Sequence, residues 1–272
     1  MDTVFTDSYR RDNLADHLFV RVFTAKCVRI DTSWNARDVC SGYWRLYWND
    51  APGASIELPD GTRYELTARR VHLIPAWVRF SHHTLGPIEH HYVHFDIVGV
   101  TAVTIRRLFT KPLTLSHDPQ AEAFATAVSS PPPQAVAICR AKAAVHAALA
   151  SVLAALSADQ ALLLAAPVQL APALSRIDEH PGLDHGRADL ARCCHMSEDH
   201  FGRLFRKSVG STPAQYVLER RIAAATQALI FTNESIEQIA ERLGFANRYH
   251  LTRMFTRRMG IPPAAYRRTR YS

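Results

Sequence analysis

Cysteine is scarce in this chain. There are five, an odd number, and none forms a Cys-x-x-Cys pair. A fully paired disulfide framework is excluded and a reducing compartment is expected. Cys193 and Cys194 are adjacent in a predicted helix and read as small core fillers rather than redox partners. Long apolar runs are also lacking. The most apolar stretch, Ala143 to Ala158, is short, contains His146 and is followed by Asp159-Gln160, so no membrane span is expected. Met1-Asp2-Thr3-Val4 lacks the basic-then-apolar pattern of a secretory signal, and a cytoplasmic protein is the expectation. A common metal-binding pattern, His-x-His followed closely by Glu, is missing as well. His82, His83, His90, His91 and His94 cluster in the front half, but His90 and His94 share a strand face without an obvious third ligand. No metal, cofactor or catalytic residue is assigned, and these histidines read as sheet-surface or pocket side chains. What is present suffices for two cores: 272 residues, 47% of them hydrophobic.

The C-terminal part repeats at a shift of fifty residues. Arg203, Phe205, Gly210, Pro213, Ala214, Tyr216 and Arg220 align with Arg253, Phe255, Gly260, Pro263, Ala264, Tyr266 and Arg270. Two copies are too few for a solenoid and fit a duplicated supersecondary unit. In the first, Asp189 to Cys194 reads as a short helix, His195-Met196-Ser197 as a turn, and Glu198 to Ser208 as a second helix closed by Gly210. Ser197 suits an N-cap, and Glu198 and Asp199 suit the positive helix start. Phe201, Leu204, Phe205 and Ser208 share one face, which turns Asp199, Gly202, Arg203 and Arg206 outward. The second copy starts at Ser235, turns at Gly244-Phe245-Ala246-Asn247 and continues from Arg248 to Met259. Leu251, Met254 and Phe255 are inward there, and Arg248, Tyr249, Thr252, Arg253 and Thr256 outward. Each unit is a helix-turn-helix candidate, at 187–209 and 235–259.

Charge follows the repeat. Residues 187–272 hold fifteen Arg or Lys against seven Asp or Glu, a net of +8, while the entire chain is +7. Basic charge confined to one segment is the footprint of a polyphosphate partner, although charge runs such as Arg257-Arg258 and Arg267-Arg268 also serve simply to solvate helices.

The run Ser197-x-x-His200-Phe201-x-Arg203-x-Phe205-Arg206, followed by Gly210-x-Thr212-Pro213-x-x-Tyr216, Arg220-Arg221-x-x-x-Ala225, Ile239-Ala240-x-x-x-Gly244-Phe245 and Phe255-x-x-x-x-Gly260-x-Pro262-Pro263-x-x-Tyr266-Arg267, resembles the DNA-binding domain of the AraC/XylS transcription regulators. The resemblance covers roughly the last hundred residues. It implies two helix-turn-helix units joined by a connecting helix, about Pro213 to Leu229, reading two adjacent major grooves of double-stranded DNA at sub-sites roughly 10 bp apart. It further implies base reading by Asp199, Gly202, Arg203, Arg248, Tyr249, Thr252 and Arg253. Phosphate contact is expected from Arg206, Lys207, Arg257 and Arg258. Gly202 departs from what a reading position usually offers, and His250 stands where the family commonly has an aromatic ring. Phe201, Phe205, Phe245, Phe255, Pro213, Pro263, Tyr216 and Tyr266 are scaffold.

From Leu18 to about Leu115 the chain shows short runs rich in Val, Ile, Tyr, Trp and Phe between turn clusters such as Asn49-Asp50-Ala51-Pro52-Gly53. Strands are expected at 18–30, 43–48, 55–58, 63–66, 70–74, 78–81 and 90–98, an antiparallel sandwich or barrel. The same family often carries a cupin-like jelly roll here that binds an effector. The predicted architecture is α+β and multidomain: a cupin-like antiparallel jelly roll at 1–128, a helical linker at 129–166 and an all-α DNA-binding domain at 167–272. Alternation along Tyr43 to Trp48 puts Trp44, Leu46 and Trp48 on one face and Tyr43, Arg45 and Tyr47 on the other, and either face can line a pocket. Trp44, Arg45, Tyr47, Trp48, His82, Tyr92 and His94 are the pocket candidates. Ser129-Ser130-Pro131-Pro132-Pro133 breaks regular structure. After it, Ile138, Ala141, Val145, Leu149, Val152 and Leu156 form an apolar helix seam, suited to pairing two chains as a homodimer or to packing on the chain's own jelly roll.

Together these readings imply a transcription activator rather than an enzyme, controlled by a small molecule, a sugar by family habit, with RNA polymerase as a further partner. The alternative is a metal-dependent cupin enzyme with a nonspecific basic DNA-binding tail.

Overall fold

The computed structural model describes residues 19–98, 100, 102–115, 125, 134–157 and 168–268. The Ser129 to Pro133 linker and the first eighteen residues lie outside them. Two antiparallel sheets form the front half. β1 (Phe19–Ile30), β8 (Ile88–Val98), β3 (Trp44–Asn49), β6 (His72–Ile74) and β9 (Leu113–Thr114) make one sheet in the order β1-β8-β3-β6-β9. β2 (Ala36–Val39), β7 (Phe80–Thr84), β4 (Ala54–Glu57) and β5 (Arg63–Glu65) make the other, in the order β2-β7-β4-β5. The seven expected strands are all present within a few residues. β2, β9 and the short helix α1 (Ala102–Leu108) were not anticipated, because none shows an apolar period long enough to register.

β3 explains how the sandwich is layered. Arg45 and Tyr47 point between the sheets, where Tyr47, Ile30, Ile56, Phe80 and Ile88 form one core. Trp44, Leu46 and Trp48 point the other way, into a second core with Val93, Phe95 and Ile105. Helix α2 (Gln134–Ala154) closes that outer face with Ala141, Val145, Leu149 and Val152. The apolar seam is therefore spent on the chain's own sheet, not on a second copy; Val136 and Ile138 remain exposed at one end. α2 is the one helix among the described residues long and apolar enough to cross a membrane, but its buried side is matched to the sheet.

The C-terminal half is helical: α3 (Ala171–Glu179), α4 (Arg187–Cys193), α5 (Glu198–Val209), α6 (Pro213–Phe231), α7 (Ile236–Arg242), α8 (Arg248–Met259) and α9 (Pro263–Arg268). α6 belongs to two cores. Its first turns supply Tyr216 and Val217 to a cluster with Leu174, Ile177, Leu190, Phe201 and Phe205. Its later turns supply Ile222, Ala225 and Leu229 to a cluster with Ile239, Leu251, Phe255 and Tyr266. Each fully buried Phe contributes about 1.5–3 kcal/mol, so these rings fix both units to one shaft. Thr212 and Gln215 form a capping box at the start of α6, and Ser235 and Gln238 form the equivalent at α7.

The halves are in close contact. A Cβ added at Gly42, in the sheet domain, would lie 2.9 Å from the backbone of Ala223 on α6, so only glycine permits this approach. Cys40 joins the second helical core.

Candidate DNA interface and effector pocket

The fifty-residue repeat is realised element by element. α5 and α8 are both twelve residues long, Glu198–Val209 and Arg248–Met259. Ser197 and Asn247 cap their N-termini by accepting from the backbone N–H of His200 and His250. Gly210 and Gly260 end them in the left-handed conformation, with φ of 76° and 84°. Phe201, Phe205 and Val209 are buried on α5, and Leu251, Phe255 and Met259 on α8.

The opposite faces carry the expected reading residues. Arg203 and Arg253 are exposed and make no hydrogen bond or ion pair within the described chain. Tyr249 is 72% exposed, and the Arg248 guanidinium lies 5.0 Å from the centre of its ring. Arg206, Lys207 and Arg257 are exposed too. His250 is half-buried and packs edge-on against Phe245, so it supports the turn and does not join the outward face.

Two positions differ from expectation. Arg187, at the start of α4, reaches over α5: it donates to the Glu198 carbonyl oxygen and pairs with Asp199 at 2.9 Å. A Cβ at Gly202 would come within 3.0 Å of its Nη2. Gly202 thus leaves room for a guanidinium borrowed from another helix, and Asp199 is paired before any DNA arrives. Sequence reading missed Arg187, since nothing in its spacing signals that it crosses to α5. Arg258 is the second case. It pairs with Glu219 of α6 at 2.5 Å and lies 5.2 Å from the centre of the Trp77 ring. Glu219 also binds Arg106 of α1 at 2.9 Å. Arg258, expected at phosphate, is engaged in this arrangement at the junction with the sheet domain.

That junction is polar and buried. Arg220 of α6 donates to Asp96 of β8 at 2.6 Å and is ion-paired with Asp178 of α3 at 2.7 Å, all three side chains being nearly inaccessible. Tyr216 donates to Asp178 at 2.8 Å. Arg79 of the sheet domain pairs with Asp38 and donates to the carbonyl oxygen of Met259, at the C-terminal end of α8. The sheet domain therefore grips the second unit's outward-facing helix at its tail.

A cavity of about 380 Å³ opens between the sheets and the helical half. Thr24, Lys26, Trp34, Tyr43, Arg45, Tyr47, His82, His90, Tyr92 and His94 line it from one side, and Ile230, Phe231 and Tyr266 from the other. Five of the seven pocket candidates are in its wall. Trp44 and Trp48 are not, because β3 alternation directs them under α2. Tyr43 and Trp34 were not among the candidates. Burial lowers the pKa of His82 and of His90 to about 3, and that of His94 well below its ordinary value, so all three are neutral near pH 7. A separate group, Cys27, Glu89 and His91, has its ligand atoms within 4.8 Å of one another, away from this cavity.

Known proteins agree with this geometry. Residues 190–269 match the family described as "Helix-turn-helix domain". The multiple antibiotic resistance protein MarA of Escherichia coli is 38% identical over 73 residues, 27% of this chain and 58% of MarA. Residues 190–269 are thus similar to the DNA-binding part of AraC/XylS regulators. Other relatives match over a segment of similar length: an uncharacterized transcriptional regulator, YobQ, of Bacillus subtilis is 36% identical over 83 residues, 30% of this chain and 34% of YobQ. The MmsAB operon regulatory protein of Pseudomonas aeruginosa is 33% identical over 86 residues, spanning 28% of its length. The matched segment is thus about a third of these two relatives' length. The likeness extends to the whole fold in ToxT of Vibrio cholerae, with a TM-score of 0.53 and 14% identity, covering 90% of this chain and 97% of ToxT.

Proposed function

We propose that this chain is a sequence-specific DNA-binding transcription regulator whose two reading helices, α5 and α8, enter successive major grooves. The observation that carries this reading is the pair of equal-length helices, both anchored on α6, with Arg203 and Arg253 exposed and unpaired at equivalent positions fifty residues apart. A guanidinium so placed can donate to guanine O6 and N7 in bidentate fashion. Arg248, Tyr249 and Thr252 complete the second face. On the first, Arg187 supplies a cation over Gly202 and Asp199 serves to hold it. Arg206, Lys207 and Arg257 hold phosphates and set the register.

The cavity is proposed as the effector site of a small molecule, in a cupin-like sandwich. Its walls come from both halves, so an occupant touches Phe231 and Tyr266 as well as the sheets. Linkage requires the effector to favour one arrangement of the halves over another, and only a two-sided pocket meets that condition directly. The coupling route is short. Arg45 Nη2 donates to Ser41 Oγ, and the Ser41 side chain is hydrogen-bonded to Tyr266, which packs on Phe255 of α8. Activation through RNA polymerase contact belongs to this reading by the resemblance to AraC/XylS regulators.

Titration of labelled duplexes at two salt concentrations tests the DNA roles. Arg253→Ala should relax preference at one base pair, costing about 1–3 kcal/mol there. Arg257→Ala should weaken every duplex alike and reduce the salt slope by about 1. Identical effects of both changes on all sequences would refute the division into reading and positioning residues.

A further inference from the structure

The cavity contains a cation with no counter-charge. Arg45 lies on β3, is 4% exposed and is not paired with any carboxylate among the described residues. Its Nη2 is used on Ser41, but its Nη1 meets no hydrogen-bond partner. The rings of Tyr43 and Phe80 lie 4.7 Å and 5.1 Å from its guanidinium carbon, which eases burial without neutralising the charge. Two other buried atoms on the same cavity wall, Nδ1 of His82 and Nδ1 of His94, are also without partners. A buried guanidinium with a free donor is costly, and proteins pair it with an anion or a bound ligand.

Resting on the reading of this cavity as an effector site, we propose that Arg45 anchors the carboxylate of a small organic monoanion. One charge is indicated, because Arg45 is the only buried cation lining the cavity among the described residues, while the three histidines beside it are neutral. A dianionic phosphoryl group would keep one charge uncompensated. The body of the acid lies against Trp34, Tyr47, Tyr92 and Phe231, and the open nitrogens of His82 and His94 suit hydroxyl or carbonyl groups on it. Lys26, exposed on the cavity's edge, draws anions toward the opening. The volume of about 380 Å³ is near the small end of ligand sites. The neutral sugar expected by family habit would leave the Arg45 charge uncompensated.

The test uses the full-length protein and a set of two- to ten-carbon monocarboxylates, each beside its primary amide, with glucose, arabinose, phosphate and chloride as further probes. Thermal melting and calorimetry are read for wild type, Arg45→Gln and Arg45→Lys. At least one acid should bind wild type about tenfold or more tighter than its amide, the advantage of a charge-assisted hydrogen bond. Arg45→Gln should abolish that preference. Arg45→Lys, which keeps the charge and loses the fork, should retain it with weaker binding, and guards against misfolding of the glutamine variant. Acids binding no better than amides, a preference that survives Arg45→Gln, or phosphate or chloride alone giving the full effect would each overturn the monocarboxylate assignment. Should amides or sugars bind and alter DNA affinity while the acids do not, the effector site stands and only the anion falls. If no probe that binds changes DNA affinity, the effector reading itself falls.

Discussion

Single side chains set what each reading helix can present. Gly202 in the middle of α5 costs about 1 kcal/mol of helix propensity relative to alanine, a loss the structure explains by the Arg187 guanidinium lying over it. Gly202→Ala should therefore leave the melting temperature equal or slightly higher while displacing Arg187 from Asp199. Base preference at the first sub-site should change and that at the second should not. Unchanged preference at both would mean that Arg187 has no part in the DNA interface. This arrangement was not legible in the sequence, since Arg187 and Gly202 are fifteen residues apart on different helices. The engagement of Arg258 was not legible for a related reason: its neighbour Arg257 has the same chemistry, and only the docked sheet domain distinguishes them, through Glu219 and Trp77. Arg203 and Arg253, by contrast, were legible, because the apolar stripe of each helix fixes its outward face without reference to anything distant.

At the scale of elements, local signals were reliable and interfacial ones were not. The cap at Ser197, the stop at Gly210 and the prolines opening α6 and α9 were visible because each satisfies its own helix end, whereas the capping boxes at Thr212 and Ser235 were not read. The face of β3 that lines the cavity was ambiguous, because a strand buried on both sides is apolar or aromatic throughout and its alternation does not say which side holds the void. α2 settled it by covering Trp44 and Trp48. α6 carries the main mechanical consequence. Arg220 is suspended between Asp96 of the sheet domain and Asp178 of α3, so removing it leaves two buried carboxylates without their cation. Arg220→Met should cost about 3–5 kcal/mol in thermal or denaturant unfolding. Restoring apolar balance with Asp96→Leu and Asp178→Leu in the same chain should recover most of that loss. A single-variant cost below about 1 kcal/mol, the size expected of a surface pair, would mean the lock is not closed in solution.

In the whole molecule, the cavity, the polar junction and the tail of α8 lie on one path between the proposed effector site and the proposed reading helix α8. The sheet domain's stability should also report its neutral histidines. His82 and His90 have folded-state pKa values near 3 against an ordinary 6.5, so the unfolded chain binds more protons between those limits. The stability they contribute is full above about pH 6.5 and is lost as pH falls toward 3. Thermal melts across that window should decline steeply, and His82→Asn should flatten the slope; a pH-independent midpoint would place these rings in water. The central claim, a two-unit reader on one shaft, is tested most directly by selecting bound sequences from a random duplex library with the purified full chain near physiological salt. Two enriched short motifs roughly 10 bp apart are predicted. Salt-sensitive binding with no enriched motif would contradict the account, because it would show the helical half attracting phosphate without reading sequence.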